Sequence, residues 1–156
     1  MGNLSISTLF ASYLALASLC SASSYAGTLQ VGFAELPITP PVIDEWVDVN
    51  DDAQFDPDID TWTDINGNGV FDPVWIAGFQ KGRAAQGIKD DLMAVAVVID
   101  DGDQRIAVVA VDTIGLMRKF VLDVRQSTNK DWGLDHLMIH ATHNHEGPDT
   151  QGLWGP

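Results

Sequence analysis

Two short apolar runs separated by a turn constrain the fold of this chain more than any other feature. Leu92 to Ile99 is an almost unbroken apolar run rich in Val, and Arg105 to Val111 is a second one. The sequence Asp100-Asp101-Gly102-Asp103 between them is typical of a tight turn. The two runs therefore predict a hairpin that is buried on both faces or nearly so, because strands exposed on one face alternate apolar and polar residues.

The segment after the hairpin has helical periodicity. Asp112 or Thr113 can cap the start of this helix, and His136 to Ala141 follows it as a third strand. The apolar residues at helical spacing are Leu116, Met117, Phe120, Val121 and Val124. A strand, a helix and a second strand predict a parallel pair with a right-handed crossover. We therefore predict an α/β fold, with a mixed sheet in which a hairpin is followed by a right-handed βαβ unit.

The N-terminus is interpreted as an export signal. Leu9 to Leu19 is an apolar run too short to span a bilayer, and Ser24-Tyr25-Ala26 has small residues where signal peptidase reads them. We assign residues 1–26 to a signal peptide, with a buried N-terminal helix as the alternative. The mature chain is predicted to be secreted or periplasmic, with no transmembrane segment. Cys20 is the single cysteine and leaves with the signal, which excludes disulfides from the mature chain.

The charge of the chain restricts its partners. The formal net charge is −14, and residues 1–26 contribute nothing to it. So acidic a surface repels phosphates, which argues against nucleic acid or an anionic membrane as a partner. Residues 44 to 72 contain ten acidic residues and no basic one. We treat residues 44–73 as an acidic insert and expect it to contribute little apolar burial.

The acidic insert contains an internal repeat. Asp48–Pro57 matches Asp64–Pro73, and both copies have oxygen-bearing side chains at relative positions 1, 3, 5 and 9. This is the spacing of an EF-hand calcium loop, and Gly69 stands where such a loop turns sharply. Ile59 and Trp75 replace the bidentate Glu at position 12, so an acidic surface loop is the alternative. The candidate Ca²⁺ ligands of the second copy are Asp64, Asn66, Asn68 and Asp72.

Three of the four histidines fall within six residues at the end of the third strand. His143 and His145, at i and i+2 on an extended backbone, point to the same side and can converge on one Zn²⁺ ion. They lie at the carboxyl edge of the predicted sheet, where ligands gather in α/β folds. Asp112 follows the neighbouring strand and can orient one imidazole, or only cap the helix. We interpret His140 as a packed core histidine and His136 as a surface residue.

The segment that contains the histidines resembles a motif of a known family. The motif Thr142-His143-Asn144-His145-Glu146-Gly147-Pro148 resembles the Thr-His-x-His-x-Gly-Pro motif of the neutral/alkaline (non-lysosomal) ceramidases. Other segments occur in the same order as in that family: Val31-Gly32-Phe33, Ile38-Thr39-Pro40-Pro41, the hairpin strands and Val109-Ala110-Val111-Asp112. The resemblance covers about 27–156 and corresponds to the N-terminal portion of such an enzyme. Glu146 and Asp149-Thr150 depart from the family's Ser and Gly-Gly and add two carboxylates near the pocket.

The resemblance implies an exported α/β enzyme of sphingolipid metabolism. Such an enzyme hydrolyses the amide bond of ceramide to sphingosine and a fatty acid. It implies that His143 is a zinc ligand and that His145 is a catalytic residue beside the metal in a pocket for a lipid amide. The family's other ligands, a His, a Glu and a Tyr, come from later in a longer polypeptide. A C-terminal remainder is therefore expected, and this chain alone is expected to be inactive.

The implied mechanism has a physical basis. Zn²⁺ lowers the pKa of a bound water to about neutrality and polarises the scissile carbonyl. His145 can donate a hydrogen bond to the developing oxyanion or carry a proton. Two alternatives remain open at this point. One is a metal-dependent hydrolase of another amide or of an ester, and the other is a non-enzymatic extracellular calcium-binding module with structural histidines.

Overall fold

The computed structural model describes residues 27–42 and 44–155, so the predicted signal peptide lies outside the described residues. The described part of the chain contains a four-stranded sheet, a two-stranded sheet and a helix. The elements are β1 (Gln30–Pro37), β2 (Glu45–Val47), β3 (Thr61–Thr63), β4 (Met93–Asp100), β5 (Arg105–Val111), α1 (Arg118–Ser127), a 3₁₀ helix (Lys130–Trp132) and β6 (His136–Ala141).

The larger sheet has the strand order β1-β4-β5-β6. β4 is antiparallel to β1 and to β5, whereas β6 is parallel to β5. The predicted α/β class with a mixed sheet is therefore confirmed. Asp100 pairs with Arg105 across the β4–β5 turn, and Val111 pairs with Ala141 where β5 and β6 end. The two parallel strands thus have their carboxyl ends at the same edge of the sheet.

Helix α1 begins later than the sequence predicts. Its N-cap is Met117, which makes no side-chain cap hydrogen bond, so the prediction that Asp112 or Thr113 caps the helix is wrong. The reason is that the backbone before the helix is bound elsewhere. The Thr113 carbonyl accepts hydrogen bonds from the N–H groups of His143 and Asn144 at 3.1 and 3.2 Å.

No helix within the described ranges is long and apolar enough to cross a membrane.

The two faces of the larger sheet are covered by other parts of the chain to different extents. Helix α1 lies over one face, and an open apolar cleft of about 710 Å³ remains between them. The opposite face leaves Val31, Phe33 and Met138 at least half exposed. The prediction that β4 and β5 are buried on both faces is only partly met, because most residues of the two strands are half-buried.

His140 lies on the sheet face that is opposite to helix α1 and is exposed, so the prediction of a core position is wrong. His136 is a surface residue, as predicted.

The acidic insert forms its own small aromatic cluster. β2 and β3 pair antiparallel, with Trp46 opposite Trp62. Phe55 and Phe71, at the same position of the two repeat copies, have ring centroids 4.1 Å apart, and Trp46 is only 8% exposed. The prediction that this region contributes little apolar burial therefore holds for its aliphatic residues, which are exposed, but not for its aromatic residues. The acidic residues dominate the composition of this region, so the sequence did not indicate that its aromatic residues pack together.

The repeat extends further toward the N-terminus than the sequence comparison indicated. Asp44 and Asp60 each precede the first Asp of their copy by four residues, and both are buried. Each of these carboxylates binds the backbone of the other copy. The donors are the N–H groups of Ile65 and Asp72 for Asp44, and of Val49 and Asp56 for Asp60, at 2.7 to 3.0 Å. The two copies therefore stabilise each other reciprocally.

We predict that Asp44→Ala destabilises the protein by about 2 to 4 kcal/mol, because two backbone N–H groups lose a buried, charged acceptor. Urea unfolding of the two proteins measures the loss. Asp103→Ala is the control, since a substitution in the exposed β4–β5 turn changes stability by only about 0.5 kcal/mol. Equal stability of the two variants would contradict the reciprocal arrangement.

Candidate functional site

The segment 142–148, here called the histidine loop, is held against the end of β5 by its backbone. The N–H of Thr142 donates to the Val111 carbonyl at 2.9 Å, and the N–H of His143 donates to the Thr113 carbonyl at 3.1 Å. The Thr142 hydroxyl also donates to the Asp112 carboxylate at 2.9 Å. The parallel pairing therefore continues beyond β6 and presents the histidines at the carboxyl edge of the sheet.

His143 is fixed in position by both its backbone and its ring. Its φ angle is +65°, so the residue is left-handed and not extended as the sequence pattern assumed. Left-handed backbone at a non-glycine residue costs roughly 1 to 2 kcal/mol. The ring Nδ1 lies 2.8 Å from the Ile114 carbonyl oxygen. Because a carbonyl only accepts, Nδ1 of the neutral ring carries the proton, and Nε2 presents a lone pair.

His145 brings a second imidazole to the same point. The Nε2 atoms of His143 and His145 are 3.2 Å apart, and the two rings are inclined by 73°. Two nitrogen ligands at about 2.0 to 2.1 Å from a tetrahedral zinc ion would lie about 3.3 Å from each other. The spacing of the two nitrogens therefore matches that of two ligands of one zinc ion.

The surroundings of His145 indicate which nitrogen is protonated. Its Nδ1 is buried without a hydrogen-bond partner. If the Nε2 of His145 carries the proton, it can donate to the Nε2 lone pair of His143; the other tautomer would oppose two lone pairs and bury an unpaired N–H. The ring of Phe79 packs against that of His145 with centroids 5.0 Å apart. His145 is therefore a hydrogen-bond donor directed at the candidate metal ligand.

The donor set is suited to zinc in kind and spacing but is incomplete in number. Structural and catalytic zinc sites use three or four protein ligands. Across residues 27–42 and 44–155, no group of three or more His, Cys, Asp or Glu side chains is placed to hold a metal ion. His143 and His145 thus form a pair that requires further ligands.

Asp112 has a different role from the one predicted. One of its carboxylate oxygens accepts from the Thr142 hydroxyl and the other from the N–H of Met93, both at 2.9 Å. The prediction that Asp112 orients an imidazole is therefore corrected, since the Ile114 carbonyl binds the ring of His143. Asp112 instead connects the start of β4 to the end of β6, because its side chain reaches across both neighbours of β5.

The two carboxylates that depart from the resembled motif are both engaged. Arg83 donates to both oxygens of Glu146, at 2.9 and 3.1 Å. Burial of Asp149 opposes its ionisation, but backbone N–H groups outweigh it and hold the pKa of Asp149 below its usual value. These donors are the N–H groups of Gln151, Gly152, Trp154 and Gly155. Neither carboxylate is free to act on a substrate without losing these partners.

A cleft of about 530 Å³ lies on one side of the histidine loop. Neither His143 nor His145 belongs to its lining. The lining combines apolar residues with charged residues at its rim, and it includes Ile76, Ile88, Lys89, Asp90, Asp91, Leu92, Asn144, Glu146, Gly147 and Pro148. The cleft is therefore next to the imidazole pair but separate from it.

The candidate calcium ligands of the second repeat copy lie together. The two Asp64 carboxylate oxygens accept from the N–H groups of Gly67 and Gly69, both at 2.6 Å. The amide nitrogens of Asn66 and Asn68 lie 3.1 and 2.6 Å from one oxygen of Asp72. The loop therefore gathers the predicted oxygen-bearing side chains on one side.

Sequence reasoning missed the part played by Gly78, Phe79 and Arg83. Gly78 and Phe79 both have positive φ angles, and a Cβ at position 78 would lie 2.5 Å from the Nδ1 of His145. One signal was present: Arg83 is one of only eight basic residues in a strongly acidic chain. Its partner, however, is 63 residues away in the sequence.

Comparisons of the chain with protein families, with curated proteins and with solved structures found no match. The geometry of the site and the motif of the histidine loop are therefore the basis for a functional proposal.

We predict that Gly78→Ala displaces the His145 ring and destabilises the protein. Gly67→Ala is a matched control, because Gly67 also has a positive φ angle, +73°, but a Cβ there meets nothing within 4 Å. The control should lose only about 1 to 2 kcal/mol from backbone strain. Gly78→Ala should lose more and should shift the NMR signals of both rings. Equal losses in urea with unchanged histidine signals would contradict the tight contact between Gly78 and His145.

Proposed function

We propose that this protein is an exported zinc-dependent hydrolase of an amide bond, with a ceramidase-like reaction that releases a fatty acid. The observation that carries the proposal is the 3.2 Å separation of the Nε2 atoms of His143 and His145. It is supported by their location beyond the parallel β5–β6 pair, at the edge where α/β proteins bind ligands. A right-handed crossover from β5 to β6 and a metal site at this edge are parts of the same proposal.

The two histidines have different roles in the proposed reaction. His143 holds the zinc ion through Nε2, and its Nδ1–H bond to the Ile114 carbonyl keeps the ring in place. When bound, the zinc ion supplies Lewis acidity that polarises the scissile carbonyl and lowers the pKa of water. Once the lone pair of His143 is used by the metal, the Nε2–H of His145 is free to stabilise charge on the carbonyl oxygen or to pass a proton to the leaving nitrogen.

The proposal requires zinc ligands beyond His143. We propose that they come from further residues of the same polypeptide, as the family resemblance implies, and that the present chain alone is inactive. The exposed apolar face of the larger sheet supports this, because Val31, Phe33 and Met138 offer a surface on which more of the polypeptide could pack.

The substrate class is inferred from the cleft beside the histidine loop. Its apolar lining suits the hydrocarbon chain of a lipid amide such as ceramide. Charged residues at the rim, Lys89, Asp90 and Asp91, favour a second hydrolase candidate that acts on a more polar amide or on an ester. Hydrolysis of a panel of ceramides, short-chain amides and esters by the complete polypeptide separates the two.

We predict that His143→Ala weakens zinc binding by more than the roughly 10- to 100-fold typical of losing an outer hydrogen-bond partner, because it removes a ligand. His140→Ala is the control, since His140 is exposed and lies on a sheet face outside the histidine loop. Both measurements use the complete polypeptide: competition with a chromophoric chelator gives its zinc affinity, and ceramide hydrolysis gives its activity. Zinc binding that is equal in the two variants, or absent in the unsubstituted protein, would reject the proposal.

A second candidate function is calcium binding by the acidic insert. It is favoured by the clustering of Asn66, Asn68 and Asp72 around one point, next to the amide-bound carboxylate of Asp64. Rotation of each Asn amide would direct its oxygen at this point, in exchange for the hydrogen bonds that Asn66 now accepts from the Asn68 N–H and Asn68 from the Val70 N–H. If calcium binding is the only function, the protein is a non-enzymatic extracellular module in which the histidines are structural.

We predict that calcium at about a hundredfold above its Kd raises the melting temperature by roughly 5 to 10 °C, because the ligand binds only the folded state. Asp64→Ala should abolish the rise, whereas Asp103→Ala in the β4–β5 turn should retain it. His143→Ala should also retain it and, if the protein is only a calcium module, should leave the complete polypeptide's activity unchanged. A melting temperature that does not respond to calcium would reject this candidate.

A further inference from the structure

The segment from Gly78 to Arg83, here called the 78–83 loop, forms a wall beside His145. The loop is closed at its base by the N–H of Ile76, which donates to the Arg83 carbonyl at 2.7 Å. Gly78, Phe79 and Gly82 all have positive φ angles, so the loop is tightly folded. Its tip contributes both the Cα surface under the Nδ1 of His145 and the aromatic ring at the edge of that imidazole.

Arg83 connects this loop to the histidine loop. Its Nη2 donates to both Glu146 oxygens at 2.9 and 3.1 Å, and its Nη1 donates to the His145 carbonyl at 3.3 Å. A second Nη1 contact reaches the Gly78 carbonyl at 3.5 Å. The guanidinium also lies 5.4 Å from the centre of the Phe79 ring. The side chain is only 14% exposed, so these contacts are partly shielded from solvent.

The chemistry of these contacts requires arginine in particular. The planar guanidinium can bind a carboxylate with one nitrogen and backbone carbonyls with another, in a fixed geometry. A lysine offers one ammonium group and cannot hold all these acceptors in the same plane. Arg83 therefore fixes the backbone of His145 relative to Gly78 and Phe79, the two residues that contact its ring.

We infer that Arg83 is a positioning residue of the proposed metal site, which keeps the Nε2 of His145 directed at the Nε2 of His143. This inference rests on the proposed function for its catalytic part. Arg83 also keeps the Glu146 carboxylate paired, so that Glu146 serves as an anchor for the histidine loop and not as a base. Arg83 acts through His145 and does not itself touch the metal or the substrate.

The chain contains a matched control for this inference. Arg105 donates through Nε to the Asp100 carboxylate at 2.8 Å and through Nη1 to the Trp132 carbonyl at 2.6 Å. It therefore combines an ion pair with a backbone carbonyl, as Arg83 does. Arg105 lies at the β4–β5 turn, however, at the opposite end of β5 from the carboxyl ends of β5 and β6 that present the histidine loop. A general loss of stability should affect the two arginine variants in the same way.

Amide hydrolysis by the complete polypeptide is the first measurement. Arg83→Ala should lower kcat by about 10²- to 10⁴-fold, the range for losing a positioned proton donor, and should leave zinc affinity unchanged because His143 still binds the metal. Arg83→Lys should be intermediate and serves if the alanine variant does not fold. Arg105→Ala should retain the kcat of the unsubstituted protein. An equal loss of kcat in Arg83→Ala and Arg105→Ala would overturn the inference, because it would show a merely structural effect.

The second measurement uses the metal-free protein and does not depend on zinc. With ¹⁵N-labelled histidine, NMR should show His143 protonated on Nδ1 and His145 protonated on Nε2. Arg83→Ala should convert the His145 signals to a mixture of tautomers, whereas Arg105→Ala should not. Unchanged tautomers in Arg83→Ala, with unchanged kcat, would overturn the inference. A protein that binds no zinc but loses the His145 tautomer in Arg83→Ala would support the positioning role and reject the proposed function.

Discussion

The parallel backbone pairing of β5 with β6 is the interaction on which the candidate site depends. The hydrogen bonds continue beyond the strands, from the N–H groups of Thr142 and His143 to the carbonyls of Val111 and Thr113. They hold the histidine loop against the segment that supplies the Ile114 carbonyl, the acceptor for the ring of His143. The backbone ladder therefore offsets the cost of a left-handed histidine and sets the ring's direction, which the side chain alone would not do.

A second set of contacts links the segment after the acidic insert to the histidine loop and to Asp149, the residue that follows the loop. Trp75 occupies position 12 of the second repeat copy, where an EF-hand would place a bidentate Glu. In the structure its carbonyl accepts from the N–H of Asp149 at 2.7 Å, and its ring packs edge-on against Phe71. Next to it, the N–H of Ala77 donates to the Gly147 carbonyl at 3.0 Å. Trp75 at position 12 thus packs on the aromatic cluster of the insert, while backbone hydrogen bonds tie the segment after the insert to Gly147 and Asp149.

The acidic character of the chain is a property of its surface more than of the site. The acids closest to the histidines have partners: Glu146 binds Arg83, Asp149 binds loop amides and Asp112 binds Thr142 and Met93. In the insert, Asp44 and Asp60 are buried because each replaces its lost hydration with two backbone N–H groups. Net charge therefore does not describe the chemistry near the imidazoles.

The sequence by itself determined β4, β5 and β6, the mixed α/β class and the spacing of the repeat. These features depend on residues close together in the chain: β5 and β6 follow the predicted apolar runs, and the Asp-Gly turn joins β4 to β5. Only the tertiary structure decided the start of α1, the exposure of His140, the partners of Asp112 and the pairing of Arg83 with Glu146. Each of these depends on contacts between distant segments, and a local pattern carries no information on which distant group will satisfy a given N–H, carbonyl or charge.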